Sequence, residues 1–108
     1  MQIVKGSGRY VAPRDEPNHF VEHLRNRSFS VGTYSIPAGG LDDQVPHRED
    51  EVYLVTAGQA RLVTDTGEAV VTPGDLIHVP AGEAHQFTDI SSDLALLVFF
   101  APPYTGRG

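Results

Sequence analysis

From residue 29 onward the apolar residues come in short runs that alternate with polar positions or are rich in β-branched and aromatic side chains, and Gly, Pro or Asp closes each run. A period of two with frequent breaks marks β-strands that bury one face. The pattern predicts strands over residues 29–36, 51–57, 59–65, 68–72, 75–79, 84–88 and 94–101, with no room for a long helix. Thr66-Gly67, between Asp65 and Glu68, supplies the positive-φ residue of a tight hairpin, and Pro73-Gly74 marks a turn where a ladder must stop. Residues 51–79 therefore read as a meander. Residues 19–27 are ambiguous, because His19 and His23 are spaced as on one helix face while Phe20, Glu22 and Leu24 fit period two. A strand hairpinned to 29–36 through residues 25–28 is favoured. Residues 1–9 and 102–108 carry few apolar anchors, and Pro102-Pro103 cannot continue a central strand. Both ends are expected to be edge pieces or loose arms, available to cover a sheet edge on a second subunit.

The chain has 108 residues, enough for one hydrophobic core and hence one domain with one site in it. Its 11 Gly and 8 Pro are scattered, which suits many short strands joined by turns and an all-β fold. The formal charge of -6 leaves no basic stripe, so neither nucleic acid nor an anionic membrane surface is an expected partner. With no Cys there is no disulfide framework, no thiolate nucleophile and no sulfur-ligated zinc site, and metal chemistry would have to come from His and carboxylates. Residues 1–10 lack the apolar run of a signal peptide, and no stretch reaches the roughly 18 apolar residues of a membrane span. A cytoplasmic location is the expectation.

His47 and Glu51 are separated by three turn-forming residues and followed by the apolar run 52–55. A strand ending at His47, turning and restarting at Glu51 would place both side chains at the same end of neighbouring strands, as two ligands of one metal require. Further on, Pro80-Ala81-Gly82-Glu83-Ala84-His85 forms a tight turn that delivers a second histidine onto the start of the next strand. These residues resemble the cupin superfamily, whose second motif, G-x5-P-x-G-x2-H-x3-N, is met by Gly74, Pro80, Gly82 and His85, with Asp89 in the Asn position. The first motif, G-x5-H-x-H-x3,4-E-x6-G, is met from its second His onward by His47, Glu51 and Gly58. Its first His position holds Val45, and Gly40 is off the usual spacing of its opening Gly. The shifted register, with His47 as first His and Glu49 as second, loses Gly58 and is rejected. The resemblance spans about residues 29–101 and extends to short bacterial cupins with a Pro-His-x-Glu-Asp-Glu-Val-Tyr core.

The resemblance implies a jelly-roll-like antiparallel β-barrel, usually dimeric, with a metal inside near the open mouth. Of the three His and one Glu usual in cupins, it carries over His47, Glu51 and His85; Val45 cannot coordinate. Two imidazoles and a carboxylate with open positions suit non-haem Fe(II), and Zn, Mn, Ni or Co fit the same donors.

Among the remaining polar residues, Gln44 is a candidate weak fourth donor or outer hydrogen-bonder. Glu49 and Asp50 read as solvated turn residues, Glu49 with the alternative of a substitute ligand. Asp42 and Asp43 join them in an acidic rim that would favour cations at the mouth. Tyr53 follows Glu51 by two and faces the same way on a regular strand, so it is a candidate pocket or catalytic residue. His78 is a candidate proton relay if its strand turns it inward; His19 and His23 read as surface residues, and Tyr34, Phe87, Phe99 and Phe100 as core. The function expected is a metal-dependent enzyme acting on a small organic substrate: a dioxygenase with Fe(II), or an isomerase, lyase or hydrolase with Zn, Mn or Ni as Lewis acid. Val45 motivates the alternative, a non-catalytic barrel that binds a small metabolite or only dimerises.

Overall fold

The alternating runs fold into six antiparallel strands in a computed structural model that describes residues 1–106. They are β1 (His19–Arg25), β2 (Ser30–Ile36), β3 (Asp50–Thr64), β4 (Gly67–Val71), β5 (Leu76–Val79) and β6 (His85–Ala101). Strand order is β1-β2-β6-β3-β4, with β5 also paired to β3, and the described residues contain no helix. The segment 19–27 takes the strand alternative: β1 runs from His19 opposite Ser35 to Arg25 opposite Ser30. Asn26 closes the turn by accepting hydrogen bonds from the Ser28 and Phe29 amides at 2.8 and 3.0 Å. An Asx turn of this kind imitates a backbone turn and fixes the hairpin locally.

Two long strands organise the barrel, and in both the expected division into two pieces is replaced by a bend. Residues 51–57 and 59–65 are one strand, β3, whose first half pairs with β5 and second half with β4, while β6 runs along nearly its whole length. Before Gly58 the inward positions are odd (Glu51, Tyr53, Val55), and after it they are even (Ala60, Leu62). Pairing with β6 slips at the same place, between Val55 and Arg61. A bulge inserts a residue, bends the strand and flips the phase of every side chain beyond it. Gly58 permits this, because its φ is +82° and a Cβ there would collide with the Asp93 carbonyl and lie 2.8 Å from Leu94 Cα. β6 does the same at Asp89, φ +48°: His85 and Phe87 face inward before it, Ile90, Leu94, Leu96, Val98 and Phe100 after it. The phase flips keep one continuous inner face as the sheet curls, and the core fills it with Ile36, Val55, Leu62, Phe87, Leu94 and Leu96. Phe99 is the exception to the expected aromatic core, since its odd position leaves it 39% exposed on the outside.

Among the described residues neither arm is loose, and residues 107–108 of the second lie outside them. Gly8 is buried, its amide donates to Thr33 Oγ1 (2.9 Å) and its carbonyl accepts from Thr56 Oγ1 (2.6 Å), while the Val11 amide donates to Ser35 Oγ. The first arm thus lies across the outer face of β2, which is why Thr33 and Ser35 are buried there as Tyr34 and Ile36 are on the core side. At the other end Tyr104 donates its amide to Ser30 Oγ at 2.9 Å, and Arg25 Nη2 donates to the Tyr104 carbonyl at 2.8 Å. Pro102-Pro103 stops the ladder without stopping the packing.

Candidate metal centre

The first half of β3 aims Glu51 and Tyr53 at the interior, the start of β6 does the same for His85, and the loop 37–49 brings in His47. His47 is not the end of a strand, as the spacing had suggested, but a buried loop residue just before β3. One ligand atom from each of His47, Glu51 and His85 lies within 4.8 Å of the others, and all three side chains are buried. His47 Nε2 stands 3.3 Å and His85 Nε2 3.5 Å from Glu51 Oε1. Gln44 joins them from the loop: its Oε1 is 3.1 Å from His47 Nε2 and 3.2 Å from His85 Nε2. Tyr53 donates its hydroxyl to Gln44 Oε1 (3.1 Å) and lies 3.0 Å from His85 Nε2.

The protonation states follow from the partners. His85 Nδ1 is 2.9 Å from the Glu83 carbonyl, which can only accept, so Nδ1 carries the proton and Nε2 faces the cluster. Burial alone pulls the His85 pKa down, but hydrogen bonding to Glu51 and the Glu83 carbonyl and the charge of Glu51 outweigh it and hold the group above the ordinary 6.5. His47 is held below that value, chiefly by burial, against the pull of Glu51. Burial, then the adjacent Glu51 charge, pushes Tyr53 well above the ordinary phenol value, so it stays protonated.

The donor set fits a divalent ion. Among the described residues, Glu51 Oε2 is buried without a hydrogen-bond partner, and such an atom calls for a missing partner. A tetrahedral ion with bonds of about 2.0–2.2 Å holds its donors roughly 3.3–3.6 Å apart, and an octahedral one somewhat closer. The separations of 3.1, 3.2, 3.3 and 3.5 Å around His47, His85, Glu51 and Gln44 fall in that range. His47, Glu51 and His85 therefore form a group that could hold a metal ion.

Other polar residues take places that local sequence did not disclose. Glu49 is not solvated: it is 2% exposed and accepts from the Thr105 amide and Thr105 Oγ1 at 3.1 and 2.7 Å. Asp42 does not belong to an acidic rim, since it is 1% exposed and accepts from Tyr34 Oη, the Phe87 amide and Gln44 Nε2. Asp43 and Asp50 are exposed, as the rim required. His78 does not join the cluster; it faces outward on β5, between the inward Ile77 and Val79. His23 is half-buried against Thr33. No local pattern flags Glu49 or Asp42, since Thr105 lies 56 positions from the first and Phe87 45 positions from the second. Beside the cluster a cavity of about 110 Å³ is walled by Phe20, Tyr34, Phe100 and Tyr104, with Gln44 and His47 at its polar end. Tyr104 stacks on Phe100 at 4.5 Å and meets His47 edge-on at 5.4 Å, so the C-terminal segment forms part of this wall.

A curled antiparallel barrel with a His–Glu–His cluster at the inner end of its strands defines a class of small β-barrel proteins in which the site lies inside the barrel. Residues 32–100 match the cupin domain, and the chain belongs to the cupin family. It is 45% identical over 84 residues to the uncharacterized protein SCO3923 of Streptomyces coelicolor, covering 78% of this chain and 80% of that one. It is 31% identical over 98 residues to the β-D-galactosidase Rv1717 of Mycobacterium tuberculosis, covering 83% and 82%. Among solved structures, TT1209 from Thermus thermophilus superposes with a TM-score of 0.75 at 24% identity, over 95% of this chain and 97% of that one. The family includes enzymes, and this chain carries a possible metal site of His, Glu and His.

Proposed function

We propose that this protein is a metal-dependent enzyme acting on a small, oxygen-bearing organic substrate, with His47, Glu51 and His85 holding the ion. The observation that carries this is the convergence of those three buried ligand atoms within 4.8 Å, with the second oxygen of Glu51 buried and unpartnered. When bound, a divalent ion supplies Lewis-acid polarisation of a substrate oxygen, or O2 activation if it is Fe(II). The aromatic wall of Phe20, Phe100 and Tyr104 binds the apolar part of the substrate and excludes water. Tyr53, lining the same cavity and kept protonated, donates a hydrogen bond or a proton from its hydroxyl to substrate charge that develops in the reaction. A group fixed in the protonated state serves isomerisation or elimination more directly than it serves dioxygenation. The Zn, Mn or Ni branch is therefore preferred to the Fe(II) dioxygenase branch. We extend the proposal to a homodimer, which sedimentation at micromolar concentration tests.

Sugar hydrolysis is a second candidate, favoured by the likeness to the β-D-galactosidase. Hydrolysis by paired carboxylates needs an acid and a base flanking the glycosidic bond. Among the described residues Asp43 is the one carboxylate lining the cavity, whereas Glu51 faces the imidazoles and Glu49 is engaged by Thr105. Galactoside cleavage that persists in a chelator would favour this candidate over the metal-dependent one.

The deciding experiment is elemental analysis of protein purified without a metal-affinity tag, with His85→Ala and Glu51→Ala alongside. One divalent ion per chain in the parent and its loss from both variants is expected; a parent that takes up no ion on reconstitution overturns the proposal and leaves the metal-independent hydrolase or a non-catalytic barrel. Tyr53→Phe should keep the ion and lose about 10²-fold or more in turnover. O2 uptake after Fe(II) loading tests the dioxygenase branch separately.

A further inference from the structure

The loop before β3 lacks a histidine at Val45, whose side chain is 40% exposed and turned away from the cluster. One residue earlier, Gln44 turns inward and places its oxygen between both imidazoles. We infer that Gln44 Oε1 is the fourth protein donor of the centre, and that buried Asp42 is the positioning residue that aims it. This rests on the assignment of His47, Glu51 and His85 as the metal ligands.

Three observations converge. The first is orientation: Gln44 Nε2 donates to Asp42 Oδ2 at 2.7 Å, which leaves only the carbonyl end of the amide to face the imidazoles. Asp42 is itself immobile, because Tyr34 Oη and the Phe87 amide each donate to it at 2.8 Å, and the Gln44 amide at 3.2 Å. The second is that the atoms facing one another are mostly acceptors. Gln44 Oε1 and Glu51 Oε1 accept only, and neutral His85 has committed its Nδ1 proton to the Glu83 carbonyl, which leaves Tyr53 Oη and one His47 N–H as the donors to the group. A shared cation satisfies all of them at once. The third is distance, since 3.1 and 3.2 Å to the two Nε2 atoms match the edges that Glu51 makes with the same atoms, 3.3 and 3.5 Å. Gln44 thus occupies one more corner of the same polyhedron.

The substitution has a chemical consequence. An amide oxygen is a harder donor than imidazole, and oxygen donors suit Mn(II), whereas imidazole suits Ni(II) and Zn(II). Relative to a centre of three histidines and a glutamate, this one shifts its preference toward Mn(II). Conversely, Q44H should move the preference toward Ni(II).

Affinities for Mn(II) and Ni(II) are measured by competition against a chelator for the parent, Q44A, Q44H, D42N, E51A and the double variant D42N/Q44E. Expected are a loss of about 10–100-fold in Mn(II) affinity for Q44A and D42N, and a Mn/Ni ratio shifted toward Ni for Q44H. In the double variant the amide at position 42 can donate to the carboxylate at position 44, which returns an oxygen to the cluster, but the Phe87 amide loses its acceptor, so Mn(II) binding should recover part of what D42N loses. A general loosening of the loop would not be repaired in this way. At equal occupancy the Co(II) absorption bands of Q44H should differ in position from those of the parent; coincident bands place residue 44 outside the ligand set and overturn the inference. Parent-like Mn(II) affinity in Q44A, with binding lost in E51A, refutes the role of Gln44 while the three-residue centre stands. A parent that binds neither ion refutes both.

Discussion

Glu51→Gln should stabilise the metal-free protein at alkaline pH while removing its response to metal. Glu51 is 1% exposed, and its Oε2 has no hydrogen-bond partner among the described residues. A buried polar atom left unsatisfied costs about 1–3 kcal/mol, more when charged. His85 compensates for the charge only while protonated. Its pKa is raised above 6.5 in the folded state, so the stabilisation it contributes is fully present below the unfolded value and is lost as the pH rises through the folded one. Above that point the metal-free parent carries an uncompensated buried carboxylate; an amide of the same shape does not. The variant should then be more stable in chelator by about 1–3 kcal/mol, a rise in Tm of roughly 4–12 °C for a domain of this size. Below pH 6.5 the order reverses, because the variant has lost the partner of His85.

Metal supplies the second arm of the same experiment. An ion present at about 100 times its Kd stabilises the folded state by about 2.7 kcal/mol, which the parent should gain and the variant should not. Thermal melts at pH about 9 and about 5.5, each with chelator and with Mn(II) or Zn(II), cover the four conditions. A variant less stable than the parent in chelator at the alkaline end would refute the reasoning, since it would mean that the protein satisfies Glu51 without a cation.

Gly58→Ala should destabilise by roughly 2 kcal/mol or more, from the left-handed backbone and the collision with the Asp93 carbonyl; a Tm within about 2 °C of the parent would count against the bulge as the origin of the bend. Thr105→Ala removes a hydroxyl donor to the buried Glu49, so it should cost about 1.5–3 kcal/mol and expose the C-terminal segment to limited proteolysis, and an unchanged digestion rate would refute that latch. His78→Ala, on the outer face, should leave stability within about 0.5 kcal/mol and metal content unchanged, and loss of either would reinstate it as a site residue.

The strands and the cluster were legible for different reasons. Period-two alternation is a local property, so the runs at Ser30–Ile36, Gly67–Val71 and Leu76–Val79 announce themselves within a residue or two at most ends. Gly58 misled because a glycine between two apolar runs reads as a turn, whereas here it is a bulge that keeps β3 continuous and reverses its phase. That reversal matters to function, because it lets Glu51 and Tyr53 in one half and Leu62 in the other face the same interior. His47, Glu51 and His85 were recognisable because turn residues at fixed offsets accompany them. Asp42, Gln44 and Glu49 had no such companions. Acidic residues in a loop are solvated by default, and overriding the default takes partners such as the Phe87 amide and Thr105, whose positions only the tertiary fold supplies. The His–Glu–His cluster is thus written locally, and the buried carboxylates around it are fixed by contacts from across the barrel. For this reason the proposed role of Asp42 in aiming Gln44 could be read only once the Phe87 amide and Tyr34 were placed beside it.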